Sequence, residues 1–150
     1  MRLPKDYSDN RGFSLIEIVV VMGILAILGS LGLFVAIDQY RSYALSAETS
    51  TIVSLLQKAR NQAINNLGQS RHGVFLDNTN YTLFEGTDYA SRVQGYDEII
   101  PKSPAVTMGG LQEIIFKQLN GESSTIGNIT ISNPQKTSVI SINSEGRIDW

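Results

Sequence analysis

The hydrophobic positions of the chain follow three patterns in succession. The window 18–37 has no charged residue and contains 16 apolar ones. After it, apolar residues recur at the spacing of one helix face, and beyond Gly68 apolar and polar residues alternate. These patterns predict an apolar helix, then an amphipathic helix, then a series of strands.

A single long helix accounts for the first two patterns. We predict that it runs from about Ser14 to Leu67, because no proline lies between Pro4 and Pro101 and no strong breaker precedes Gly68. The apolar positions of its second half share one face, which we expect to pack on a sheet. They are Leu45, Ile52, Leu56, Ala59, Ala63 and Leu67.

The region after Gly68 predicts short antiparallel strands separated by turn residues. The first two flank Asn78-Thr79 and read as a hairpin, and residues 85–98 read as a polar loop. The predicted strands are 73–77, 80–84, 105–108, 113–117, 128–132, 137–142 and 147–150. A helix followed by such strands is an α+β arrangement.

The composition excludes several kinds of functional site but says less about the fold. The chain has 150 residues, 12 Lys and Arg against 14 Asp and Glu, and no cysteine. The missing cysteines exclude disulfide frameworks, zinc-thiolate sites, iron-sulfur clusters and a cysteine nucleophile. The net charge of −2 gives the region beyond the apolar window no long-range attraction for nucleic acid.

The apolar window is long enough to span a membrane, since about 20 helical residues cover roughly 30 Å. Arg2, Lys5 and Arg11 precede it and Arg41 is the nearest cation after it, so the N-terminus is predicted to be cytoplasmic. A cleaved signal peptide is one alternative, although the run exceeds an ordinary h-region and no A-x-A site follows. A plain anchor is another, but it leaves Glu17 unexplained, because a carboxylate costs about 3 kcal/mol at the bilayer centre.

The stretch Arg11-Gly12-Phe13-Ser14-Leu15-Ile16-Glu17 before the apolar run resembles the processing site of type IV prepilins and type II secretion pseudopilins. The resemblance implies that a prepilin peptidase cuts between Gly12 and Phe13 and methylates the new amine of Phe13. It also implies a type IV pilin-like fold, with a leader at 1–12, a membrane-spanning or filament-core helix at 13–37 and an extracytoplasmic domain at 38–150. The implied partners are the peptidase, other pilin subunits and the inner-membrane assembly platform.

The same resemblance gives Glu17 a role in assembly. It implies that the carboxylate attracts the amine of Phe13 in a neighbouring subunit when the subunit leaves lipid, and that this pairing sets axial register. The alternative is that Glu17 only complements the positive end of its own helix dipole, which is worth about 0.3 to 1 kcal/mol. Both roles can hold together.

The later part of the chain resembles the GspH/FimT branch of minor pilins and pseudopilins. The residues concerned are Asp97-Glu98, Ile114-Ile115-Phe116, Asn120-Gly121, Gly127-Asn128-Ile129-Thr130-Ile131 and Ser144-Glu145-Gly146-Arg147-Ile148. The resemblance implies a minor subunit that initiates or caps a pilus or pseudopilus. Its alternative is FimT-like DNA uptake through a C-terminal Gly-Arg-x-Arg element, but here Gly146-Arg147-Ile148 is followed by Asp149 where a second arginine would stand.

The sequence shows little that favours an enzyme. His72 is the single histidine, and at the start of a predicted strand it reads as an exposed residue rather than a catalytic one. Asp77-Asn78-Thr79-Asn80 has oxygen ligands but lacks the Gly and distant Glu of an EF-hand, so hairpin-turn formation explains it equally. Asp97 and Glu98 are paired only in sequence. We predict a non-enzyme with no cofactor and no metal.

Overall fold

The structure, a computed structural model, describes the backbone of residues 12–150 and the side chains of these residues except 31–36 and 38. Within this range the fold is α+β, with one long N-terminal helix followed by antiparallel strands, as the hydrophobic pattern predicted. The chain divides into two compact units between Asp38 and Gln39. The predicted leader at 1–12 lies outside the described residues except for Gly12.

The helix α1 (Leu15–Ile64) ends earlier than the predicted end at Leu67. Asn66 and Gly68 take left-handed backbone conformations, with φ of 54° and 62°, and these stop the helix. The backbone N–H of Leu119 then donates to the carbonyl of Ala63 at 2.9 Å. The same carbonyl also accepts the N–H of Asn66 at 3.1 Å, so this second bond ties the end of the helix to the segment that contains Leu119.

Among the described residues, no helix has both the length and the apolarity needed to cross a membrane.

The described strands form two four-stranded antiparallel sheets. The first has the order β3-β2-β1-β5 and the second has the order β4-β6-β7-β8. The strands are β1 (His72–Leu76), β2 (Asn80–Glu85), β3 (Glu98–Pro101), β4 (Thr107–Gly110), β5 (Glu113–Phe116), β6 (Gly127–Ser132), β7 (Thr137–Ile142) and β8 (Ile148–Asp149). The alternating pattern predicted most of these strands but not their division into two sheets.

Gly110 allows the chain to pass from the second sheet to the first. The next residue, Leu111, donates its N–H to the carbonyl of Asn128 in β6, whereas Gln112 accepts from Leu76 in β1. Gly110 has φ of 87°, and a Cβ there would lie 2.2 Å from the carbonyl oxygen of Asn128. Only glycine fits this position, and it lets neighbouring residues bond to different sheets.

The strand β3 was missed in the sequence. It lies at the edge of the first sheet and pairs only with β2, with Pro101 opposite Asn80 at its end. An edge position tolerates a proline that a central strand would not. Ile99-Ile100 was the available signal, but two apolar residues beside a polar loop are too short a run for periodicity to show.

The core lies between the second half of α1 and the sheets. The predicted stripe from Leu45 to Ala63 is buried, and Val53 and Leu55 are buried with it. Leu67 is the exception, with 54% of its surface exposed, because the helix has already ended and Leu67 lies in a 3₁₀ turn. The helix therefore packs as predicted, with one turn fewer than expected.

The segment 86–97, predicted only as a polar loop, folds over the face of the first sheet opposite the core. The ring of Tyr89 stacks on Phe75 with centroids 3.9 Å apart and meets Phe84 edge-on. The guanidinium of Arg92 lies 3.8 Å from the Tyr89 ring centroid and its Nε donates to Asp97 at 2.8 Å. These contacts give the loop a small core of its own.

A partly buried carboxylate on α1 joins the helix to the first sheet. Glu48 accepts a hydrogen bond from the Tyr81 hydroxyl at 2.6 Å and another from the backbone N–H of Ser103 at 2.8 Å. Burial, together with the hydrogen bond to Glu48 and its negative charge, holds the pKa of the Tyr81 phenol well above its usual range. The hydroxyl therefore stays a donor.

Removing this hydroxyl is expected to destabilise the fold. Tyr81→Phe should lower the free energy of unfolding by about 1–3 kcal/mol, because the partly buried carboxylate of Glu48 loses the hydroxyl donor of a fully buried side chain. Tyr43→Phe, on an exposed part of α1, is the matched control and should change stability little. Urea unfolding followed by circular dichroism measures both, and equal midpoints for the two variants would contradict the assignment.

Candidate functional site

The predicted cleavage position lies in exposed, non-helical chain. Gly12 and Phe13 precede α1, and 79% of the Phe13 surface is exposed. Apart from its chain neighbours, no atom of the described residues lies within 4 Å of the point where a Cβ on Gly12 would stand. The bond between these residues therefore lies outside the helix, which begins at Leu15.

Ser14 fixes where the helix begins. Its hydroxyl oxygen accepts the backbone N–H of Glu17 at 3.2 Å, and its carbonyl accepts the N–H of Ile18 at 3.2 Å. This is N-cap geometry, and Ser14 and Glu17 have the S-x-x-E spacing of a capping box. Sequence reasoning missed the cap, although that spacing before an apolar run was a sufficient signal.

Glu17 lies in the first turn of α1 and is exposed. Its negative charge is therefore near the positive end of the helix dipole, where it is favourable. Among the described residues, no ion pair reaches the Glu17 side chain. The pairing of Glu17 with an amine of another subunit stays a prediction.

Arg147 lies just before β8, and 70% of its side chain is exposed. Its guanidinium pairs with Asp149 at 2.8 Å. Arg147 shares a cavity of about 530 Å³ with Arg60 from α1, a second cation that sequence reasoning did not connect with it. No periodic signal links these two positions, which the tertiary fold alone brings together.

Arg60 is used mainly to hold two loops together. Its Nε donates to the carbonyl of Gly121 at 3.2 Å and its Nη2 to the carbonyl of Glu145 at 3.3 Å. Gly146 packs so closely here that a Cβ on it would lie 2.0 Å from the Gly121 oxygen, and its φ is 74°. The guanidinium thus closes the turn that leads into β8.

Three further cations could have strengthened an anion site around Arg147, but none lines this cavity. Arg92 bonds to Asp97 in the loop over the first sheet. Lys102 donates to the carbonyls of Ser103 and Val106 at 3.2 and 2.7 Å. Arg71 is exposed next to His72. These three cations therefore do not join Arg60 and Arg147 in lining the cavity.

His72 is buried, and its expected exposure was wrong. Only 3% of its surface is accessible, because it faces the core side of the first sheet opposite Glu85 in β2 and Phe116 in β5. Burial lowers the pKa of the imidazole, while the charge of Glu85 and a hydrogen bond to the Ser70 backbone raise it less. His72 is therefore neutral at pH 7.

The oxygen-rich turn 77–80 bonds to itself. The N–H of Asp77 donates to the carbonyl of Asn80 at 2.9 Å, and the Thr79 hydroxyl donates to the Asp77 carboxylate at 3.2 Å. These bonds are those of a hairpin turn. Asp97 and Glu98 are adjacent in sequence but have different partners. Asp97 pairs with Arg92, and Glu98 pairs with Lys58. In the described part of the chain, no three His, Asp or Glu side chains gather as a metal site would require.

Comparison with protein-family models returns a match at the N-terminus. Residues 7–33 match the prokaryotic N-terminal methylation motif. The match supports a type IV prepilin-like chain. It includes Gly12, Phe13 and Glu17, and it indicates a structural subunit that is processed as pilins and pseudopilins are. Comparisons with curated proteins and with solved structures find no match.

His72 offers a direct test of the site geometry, since it is the single histidine. An NMR pH titration should give a pKa below the ordinary 6.5, and Glu85→Gln should lower it further by removing a nearby negative charge. Glu145→Gln, which neutralises an exposed carboxylate elsewhere, should leave it unchanged. Because the unfolded chain would bind the proton more readily, the free energy of unfolding should also fall as the pH drops below 6.5. Titration at or above 6.5 would contradict the burial.

Proposed function

We propose that this protein is a minor pilin or pseudopilin, a structural subunit that initiates or caps a type IV pilus or a type II secretion pseudopilus. The observation that carries the proposal is the match of residues 7–33 to the methylation motif. The exposed Gly12–Phe13 bond just ahead of a capped helix agrees with processing at that point. The antiparallel domain after α1 is the architecture that the resemblance to the GspH/FimT branch implies.

In this proposal a prepilin peptidase cuts after Gly12 and methylates the amine of Phe13. The glycine suits the reaction because it has no side chain to obstruct a protease at the backbone. Residues 13–37 then anchor the subunit in the inner membrane, with its N-terminus on the cytoplasmic side and residues 38–150 outside. The uncharged window 18–37 and the cations before it support this topology.

Assembly follows from the same helix. After processing, the subunit leaves the membrane through the inner-membrane assembly platform and packs its apolar helix against those of other subunits. Glu17 then pairs with the methylated amine of a neighbouring Phe13, in surroundings of low dielectric where opposite charges attract strongly. The pair would fix how far one subunit advances past the next.

DNA binding, the alternative for FimT-like subunits, is not part of the proposal. The guanidinium of Arg147 is neutralised by Asp149, and Arg60 in the same cavity is bonded to two carbonyls. A phosphate clamp needs guanidinium groups whose charge and donors are available.

Processing can be tested by intact-mass analysis of the protein from cells with an active prepilin peptidase. The mature chain should begin with N-methylated Phe13. Gly12→Val should block the cut, because its side chain obstructs the backbone at the scissile bond. Gly109→Val is the matched control, since Gly109 also has open space around its Cβ position but lies in β4. Wild-type protein that retains residues 1–12 would overturn the proposal.

The role of Glu17 can be tested by competition with wild-type subunits for entry into filaments. Glu17→Gln keeps the shape of the side chain and removes its charge, so incorporation should fall while membrane insertion persists or improves. Glu145→Gln should incorporate normally. Ser14→Ala removes the helix cap, at about 1 kcal/mol, without touching the carboxylate. If it lowered incorporation as much as Glu17→Gln, the helix start and not the amine pair would be the function of Glu17.

A further inference from the structure

The turn between β6 and β7 is held against α1 by one side chain. The side-chain amide of Asn133 donates to the carbonyl of Arg41 at 2.8 Å. The amide oxygen of the same side chain accepts the backbone N–H groups of Gln135 and Lys136 at 2.9 and 2.7 Å. Asn133 therefore fixes both the shape of the turn and its place beside the helix. We call residues 133–136 the β6–β7 turn.

The position of Arg41 in the chain limits where this turn lies in a membrane-anchored subunit. Arg41 is four residues after Ile37, the last residue of the uncharged window. Four residues reach about 14 Å at most, and the polar headgroup layer occupies roughly the first 5–7 Å beyond the hydrocarbon core. If residues 18–37 span the bilayer, Arg41 and the turn bonded to it are kept within this short reach of the headgroups. The inference rests in this respect on the proposed function.

The side chains at this end of the C-terminal unit are those typical of a membrane interface. Tyr40 and Tyr43, three positions apart on α1, have 67% and 72% of their surfaces exposed. Tyrosine is enriched where a helix leaves the bilayer, because its ring is apolar and its hydroxyl is polar. Arg41 and Lys136 are exposed as well, and neither forms an ion pair with a described residue.

Acidic residues are scarce around these two cations. None occurs in the two stretches of sequence that meet here, 39–47 and 132–139. Asp38 precedes the first stretch, and Glu48, which follows it, is already bonded within the fold as described above. A neighbouring cavity of about 380 Å³, between the turn and residues 104–107, is lined by uncharged residues. This part of the surface is therefore positively charged, although the chain as a whole carries −2.

We propose that the β6–β7 turn and the adjoining face of α1 dock on anionic phospholipid headgroups of the outer leaflet. Arg41 and Lys136 contact the lipid phosphates, and the rings of Tyr40 and Tyr43 lie among the headgroups. Two cations give only weak binding in isolation, but here the anchor raises the effective concentration of the surface at the bilayer. Docking holds the domain at a defined depth until the subunit leaves the membrane.

A second copy of this chain fits the same surface less well. A two-fold interface pairs a patch with itself, so it would place Arg41 and Lys136 opposite the same cations of the other copy. Like charges brought together in this way repel. Lipid phosphates supply the opposite charge and are already close to the turn.

The test uses the full chain, one copy in each lipid nanodisc, with a fluorescent label on one introduced cysteine, because the chain has none of its own. Thr137 is exposed next to the turn, and a label on Thr137→Cys should be quenched by nitroxides attached to lipid headgroups. Phosphatidylcholine discs that contain phosphatidylglycerol should give more quenching than phosphatidylcholine alone, and salt should reduce it. Lys136→Gln should lower the ratio of docked to undocked domain about 5-fold.

The matched controls lie at the other end of α1. Lys117→Gln also removes one exposed cation, near Leu119, whose N–H donates to the carbonyl of Ala63. Ala63 is 22 residues beyond Arg41 in the same helix, or about 33 Å at 1.5 Å per residue. Lys117→Gln should leave the quenching at Thr137→Cys unchanged, and a label on Leu119→Cys should not be quenched.

A label on Leu25→Cys, within the uncharged window, separates this inference from the proposed function. Nitroxides near the ends of the acyl chains should quench it. If they do, and Thr137→Cys is not quenched in anionic discs, the docking surface is overturned while the anchor stands. Quenching at Thr137→Cys only in discs with two copies would assign the surface to a second copy and would also overturn the inference, as would equal effects of Lys136→Gln and Lys117→Gln. An unquenched Leu25→Cys would overturn the anchor and the inference together.

Discussion

The burial of one face of α1 is the constraint on which the rest of the C-terminal unit depends. Ile52, Leu56, Ala59 and Ala63 are completely enclosed, and apolar side chains from both sheets pack in the same core. Each sheet buries its inner apolar face partly against this helix, because neither alone forms a closed core. Hydrophobic packing alone leaves the orientation of the helix less well defined. The polar contacts described above fix that orientation.

The periodicity of apolar residues predicted the elements that are long enough to bury one continuous face. The stripe on α1 and strands such as β2 and β7 have enough residues for their alternation to be visible in sequence. The edge strand β3 has only four residues, and its pairing with β2 depends on a fold that brings them together. The crossing at Gly110 and the stack of Tyr89 on Phe75 are likewise tertiary, since no local pattern determines which sheet or ring a residue meets.

The candidate sites also differ in whether a local sequence pattern or only the tertiary fold reveals them. The processing motif is a contiguous stretch whose residues act within a few positions of one another, so it could be recognised in the sequence. Arg60 and Arg147 are far apart in the chain, and their shared cavity appears only once α1 and the last hairpin are packed. His72 was expected to be exposed because it lies at the start of a strand. That position does not reveal which face of the sheet is covered by the rest of the fold. Its burial follows from its neighbours across the sheet, Glu85 and Phe116.

The clamp of Arg60 on the carbonyl of Glu145 has a consequence for how the protein is made. The two residues are 85 positions apart, and the turn that they close precedes the final strand. Forming a contact between residues so far apart in sequence costs the entropy of closing a long loop, and this cost comes before the contact gives any stability. The C-terminal unit therefore cannot complete its structure until the residues up to Glu145 have left the ribosome. Until then the apolar face of α1 has only part of its cover, and this stage of synthesis is the one most exposed to aggregation.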